Sequence, residues 1–394
     1  MGGTTMTVNG KNDGVVGIKV EDTGTINATV MGLKIERSGT GSGSKGVEFK
    51  GKGTGKGTLM LNMVDVSGFA TGVSASKGKL EMMGKSRITF ASGGTGLEVK
   101  GGASAELMRT KIVGSGTGTG VVMESEGVLM LTSVDISDVK MGVSASNGKY
   151  GVQMMGEGKV VMMGGSIMGF ATGVEATAGT LVMMGGTAIT VKENGTGLSV
   201  SGKAMATLMG GTIKGDRSGK GKYGVKMESG GKLVMMGEVG ISNVGMGVEV
   251  KSGTVEMSGV GISNVKKGVY VENGTVMMMG GTITVTSGDS GNSGSGYGVG
   301  VGVSGNGTVK MMGTTIMVTS GGTGKGTGVY VGGGVKMGSS ETLMMMKEVR
   351  ISGFEKGVSA SNGTVVMNMG SITIKEGAGN GIMGWGCGGR RMPL

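Results

Sequence analysis

SGFATGVSASKGKLEMMGKSRITF, residues 67–90, holds three short runs in which apolar and polar residues alternate: GVSAS, KLEMM and RITF. Period two is the signature of a strand, because successive side chains then point to opposite faces; Leu80 and Met82 share one face, and Ile88 belongs to the next run. Glycine or a polar turn closes each run, so the unit reads as three short strands joined by tight turns.

The same unit returns as SDVKMGVSASNG (137–148), SNVKKGVYVENGTVMMMGGTITV (263–285) and SGFEKGVSASNGTVVMNMGSITI (352–374). Its anchor is a glycine followed by Val, Leu or Ile, at Gly17, Gly46, Gly72, Gly96, Gly120, Gly142, Gly173, Gly197, Gly224, Gly247, Gly268, Gly298, Gly328, Gly357 and Gly381. From Gly17 to Gly381 is 364 residues in 14 intervals, a mean of 26. The intervals vary, as expected when loops are inserted between strands of constant length.

One such unit cannot bury its apolar face alone. Stacked at about 4.8 Å per coil, equivalent positions cover one another. The expected fold is all-β: a right-handed single-stranded parallel β-helix of about fifteen coils, a rod of roughly 70 Å. Residues 1–16 form an N-terminal edge segment, 17–376 the repeat domain, and 377–394 (GAGNGIMGWGCGGRRMPL) an irregular tail that reads as a truncated or frameshifted end, with a natural cap as the alternative.

Inward pairs in the second run are Leu80 with Met82, Val255 with Met257, Val276 with Met278, Val309 with Met311, Leu343 with Met345 and Val365 with Met367. In the third run Ile88, Ile283, Ile316 and Ile372 point in, with partners such as Val285 and Ile374. Methionine is abundant, 39 residues, and often doubled; alternation turns Met162 and Met183 inward as flexible filler and Met83, Met163, Met184, Met236, Met279 and Met312 outward.

Composition excludes other classes. There are 93 glycines but one proline and no Gly-X-Y period, so collagen is ruled out. With no histidine and one cysteine, neither a histidine-based triad nor a histidine zinc site can be assembled, and no catalytic residue, cofactor or metal is expected. The remaining enzymatic possibility is a polysaccharide lyase or glycosidase using paired carboxylates, with Glu48 and Glu98 two coils apart on the outward strand face. The Asn-Gly-Thr runs at Asn194, Asn273, Asn306 and Asn362 read as turns.

The net charge of +11 suits an anionic partner, although the lysines are expected mainly in turns. The densest basic stretch, GTIKGDRSGKGKYGVK, carries Lys214, Arg217, Lys220, Lys222 and Lys226 and is a candidate contact loop. Tyr270 and Tyr330 are candidate binding anchors two coils apart.

VDVSGFATGVSAS (64–76), VDISDVKMGVSAS (134–146) and GTVVMNMGSITI (363–374) resemble the glycine-rich β-helix passengers of Gram-negative autotransporters, the inducible adhesins of type V secretion. The resemblance covers about residues 17–376 and rests on structural motifs. It implies a non-enzymatic adhesin or virulence factor at the cell surface or secreted, meeting a host cell-surface receptor, matrix protein or anionic glycan. No nucleic acid partner is expected. Such passengers carry a signal peptide and an outer-membrane barrel; residues 1–20 lack the first pattern, and no 18-residue apolar span occurs. A polysaccharide-processing enzyme and a non-functional gene remnant are the alternatives.

Overall fold

The computed structural model describes residues 4–9, 13–21, 26–39, 42–51, 57–138, 148–216, 221–286, 298–319, 326–332, 343–361 and 363–374. They form 37 strands without a helix, every pairing is parallel, and the strands wind into a β-solenoid of about 13 turns. Pairing begins with Thr4–Asn9, which lies along Leu33–Ser38.

Three strand stacks make the walls. The first holds the anchor strands, for example Lys267–Val271; the second holds runs such as Thr275–Met279; the third holds runs such as Thr282–Val285. Each strand pairs with its equivalent one coil on, as Val269 with Val301, Val276 with Val309 and Ile283 with Ile316. Strands such as Asp65–Lys77 and Arg87–Lys100 round the corner from third to first sheet without a break.

Between the walls lies one apolar column. The first sheet contributes valines with Leu97 and Leu198, the second Leu, Val and Met, and the third an almost unbroken file of isoleucines from Ile35 to Ile351, all buried. All five phenylalanines are buried as well. Phe69 and Phe90 stack at the corner between the third and first sheets.

The anchor glycine has a packing cause. At Gly247 a Cβ would meet Gly268 O at 2.6 Å and Ile262 Cγ2 at 2.6 Å, so the isoleucine of the coil's own third run occupies the space a side chain would need. The turn from second to third sheet has a conformational cause instead. It passes through a left-handed residue, such as Met63 (φ 54), Ser133 (φ 52) or Gly280 (φ 64). Buried hydroxyls cap it: Ser86 Oγ donates to Met83 O at 2.6 Å and Thr187 Oγ1 to Met184 O at 3.0 Å.

Several expectations shift. The described residues make about 13 turns where about fifteen coils are expected for the whole chain. The strand that continues the first sheet after Gly118–Glu124 is Gly148–Met154, so Gly151 replaces Gly142 as the anchor; residues 139–147, and likewise Gly381 and the tail 377–394, lie outside the described residues. Gly300 replaces Gly298, because Val269 pairs with Val301; in the Gly-Val alternation GVGVGVS a two-residue shift keeps every face. In the second sheet Val309 pairs with Met344, and Met344 and Met346 are buried, a one-residue correction to Leu343 and Met345. Among the described residues no strand stacks on Thr364–Ile374, which leaves Met367, Ile372 and Ile374 partly exposed rather than buried. Most described lysines stand on outward strand positions, such as Lys79, Lys226 and Lys310, since these are as open to water as the turns.

The outward methionines stand as expected. Met162 and Met183 are buried, whereas Met236, Met279 and Met312 are exposed. Asn194 adopts positive φ (57°); Asn273 instead accepts the Asn306 N–H through Oδ1 at 3.2 Å, stacking one turn on the next. Asn362 lies outside the described residues.

Candidate binding face

The strands GKYGVQM (148–154) and GKYGVKM (221–227) carry the same Lys-Tyr-Gly-Val run, three coils apart in the first sheet. The anchor glycine and the following valine are both buried, so the tyrosine before them and the residue after them project outward. Tyr150 and Tyr223 therefore stand in one outward row, with Thr172 and Thr196 between.

The neighbouring row runs through Gln153, Glu175, Ser199, Lys226, Glu249, Tyr270, Gly302 and Tyr330. Tyr270 and Tyr330 are thus two coils apart on one face, about 10 Å along the axis. Tyr270 lies flat across Gly302, where a Cβ would sit 2.6 Å from its Cδ2; Tyr330 covers Gly332 in its own strand. Glycine at these positions lets each ring present a face to solvent.

Lysine accompanies the rings. Lys149 Nζ is 5.1 Å from the Tyr150 centroid, Lys222 and Lys226 are 5.2 and 5.4 Å from that of Tyr223, and Lys267 is 5.2 Å from that of Tyr270. Such cation–ring contacts contribute about 0.5–1 kcal/mol at exposed sites. Gln153 Nε2 donates to Glu175 Oε2 at 2.8 Å. Burial, followed by the Glu175 carboxylate, pushes the Tyr150 phenol above its usual value, so the hydroxyl stays protonated as a donor. Lys226 pairs with Glu228; burial opposes its charge, but the Glu228 carboxylate outweighs burial and raises its pKa.

Of the residues expected from sequence, Lys222, Lys226, Tyr270 and Tyr330 share this face. Lys214 does not. It is exposed on the third sheet, between Thr190 and Ser242. Arg217 and Lys220 lie outside the described residues. Tyr150, Tyr223, Lys149 and Lys267 complete the face; Lys149, Tyr150 and Tyr223 have a legible signal in the repeated Lys-Tyr-Gly-Val, which the anchor at Gly142 conceals for Tyr150.

Glu48 and Glu98 are two coils apart with Ser74 between, as expected. Each has its own lysine: Lys45 pairs with Glu48, and Lys100 Nζ is 2.9 Å from Glu98. Ser74 Oγ donates to Glu98 Oε2 at 2.7 Å. Burial raises the Glu98 carboxyl, but Lys100 and Ser74 outweigh it and hold it below its ordinary value. A glycosidase general acid requires the opposite direction.

No protein-family model matches the chain, and a comparison with curated proteins finds no significant match.

Proposed function

We propose that this chain is the β-helical passenger portion of an autotransporter, displayed at the cell surface or secreted as an adhesin. It engages a host receptor, matrix protein or anionic glycan through the tyrosine–lysine face of the first sheet. The observation that carries this reading is the sorting of aromatic residues. Every described tyrosine is on one outward face, and every phenylalanine is in the core. Tyrosine offers a large, rigid apolar body with a polar tip, and lysines beside it add attraction for anionic groups. A rod holds these groups at fixed axial steps, so several can engage one extended ligand together.

The test is saturable binding of the purified chain to cultured mammalian cells, immobilised matrix proteins and sulfated polysaccharide. Binding is expected to weaken at least tenfold in Tyr223→Ala/Tyr270→Ala, with unchanged circular dichroism. Absence of saturable binding to all three would overturn the reading.

A further inference from the structure

The second sheet carries a different outward face. One of its rows reads, coil by coil, Met83, Met108, Thr132, Met163, Met184, Met209, Met236, Ser258, Met279, Met312, Lys347. The row beside it reads, from Glu81 to Lys310, Glu81, Glu106, Met130, Val161, Val182, Thr207, Val234, Glu256, Met277, Lys310, with Glu256 paired to Lys232 of its own chain. Between the two rows, where Ser258 is flanked by Met236 and Met279, lies an apolar groove of about 510 Å³.

We propose that this face is a self-association surface, on which two copies pack with their axes antiparallel about a two-fold axis at the coil of Thr207 and Met209. Thr207 is four coils from Glu106 and four from Lys310. The two-fold axis therefore sets Glu106 of one copy against Lys310 of the other. The same operation brings Glu81 to the coil of Lys347, and Glu256 to the coil of Lys159.

Shape follows the same symmetry. The small residues interrupting the methionine row are Thr132, three coils before Met209, and Ser258, two coils after it. The axis places Met279 against Thr132 and Met163 against Ser258, so a thioether faces a small residue at each gap and at Ser258 enters the groove. Met184 meets Met236, and Met209 meets itself.

The charges also select the orientation. In a parallel pair in register, Glu106 would face Glu106 and Lys310 would face Lys310. Within one chain a single lysine, Lys79, serves both Glu81 (2.6 Å) and Glu106 (3.2 Å). Among the described residues no carboxylate pairs with Lys310 or Lys347. Ten coils by three outward rows cover roughly 600 Å² per copy, so the pair buries about 1,200 Å², the lower end of a specific interface.

Sedimentation velocity of the whole chain is expected to show a reversible dimer, and Met184→Lys, at an exposed row, a folded monomer. Glu106→Lys is expected to weaken dimerisation about tenfold, and Glu106→Lys/Lys310→Glu to restore it. Orientation is read in a Cys387→Ser background with a short bismaleimide. Thr207→Cys cross-links to itself, Asn62→Cys does not, and Asn62→Cys mixed with Asn368→Cys does, because those residues lie six coils either side of the axis. A monomer at every concentration up to the solubility limit would overturn the proposal. Self-cross-linking of Asn62→Cys would overturn the antiparallel geometry, and failure of the charge-swapped double variant would overturn the register. Host-ligand binding by the first sheet is measured separately, since Met184→Lys leaves that face intact.

Discussion

The outward faces of the first and second sheets rest on one core, yet they prepare the molecule for different contacts. On the first sheet, charges are matched locally, Lys45 with Glu48 and Lys100 with Glu98, and tyrosines stand among them. On the second, methionine and valine dominate the middle coils; Lys79 meets Glu81 and Glu106 and Lys232 meets Glu256, while Lys310 has no carboxylate partner among the described residues. Alternation decides only that a residue points outward. What it meets there depends on its neighbours one coil above and below, because the stack turns a scattered sequence position into a row.

The sharpest way to break the comparison is to move a charge by one residue in the second sheet. Met183→Lys places an unpaired ammonium in the core and should cost more than about 4 kcal/mol. Met184→Lys should cost under about 0.5 kcal/mol. Urea denaturation followed by circular dichroism separates them, and equal effects would mean that inward and outward are wrongly assigned.

Next is the anchor glycine, a demand made by the first sheet alone. Gly247→Val overpacks against Ile262 and the Gly268 carbonyl and should cost about 2–3 kcal/mol, whereas Ser258→Met on the outward second sheet should be near neutral in stability. Thermal melts of the two variants test this contrast.

A third difference lies on the inner side. The corner leading to the first sheet stacks Phe69 and Phe90, and then places the carboxyl of Asp138 in the same file. Asp138 is 1% exposed, and its Oδ1 accepts the Gly116 N–H at 2.9 Å. Burial raises its pKa above the ordinary 3.8, outweighing the backbone donors of Gly116 and Gly148 and the charge of Lys192. The folded state therefore holds this proton more tightly than the unfolded chain. Its contribution is greatest below the unfolded pKa, is lost as pH rises through the folded value, and is flat above it. Stability measured upward from the ordinary carboxylate range should fall through this group. Asp138→Asn should remove that part of the slope.

The smallest effect is expected at the tyrosine rows. Lys222→Ala should change stability by less than about 1 kcal/mol while weakening ligand binding severalfold. A large loss of stability instead would assign the Lys222–Tyr223 contact to the fold rather than to recognition.

Much of the architecture was legible in the chain. Period two identified Leu80, Met82 and Ile88 as inward, and the anchor recurrence implied a stack; all three are buried. The candidate face was half legible. Tyr270 and Tyr330 follow an anchor by the same offset, but Tyr150 was hidden because its coil carries an insert and its anchor is Gly151. Closeness in sequence groups Lys214 with Lys226, although a corner separates third sheet from first. The left-handed turn residues Met63 and Ser133 left no sequence signal, because the geometry of the corner, not their side chains, imposes that φ.

The sequence by itself determined that inward and outward residues alternate and roughly how often the chain returns, since both follow from period two and from glycine where an isoleucine must pack. Only the tertiary structure decided which residue lies beside which: Gln153 rather than Ser144 in the first sheet, Met344 rather than Leu343 in the second, and Thr207 midway between Glu106 and Lys310. Register between coils is set by hydrogen bonds between strands a full turn apart, and inserts of variable length hide that pairing from any reading along the chain.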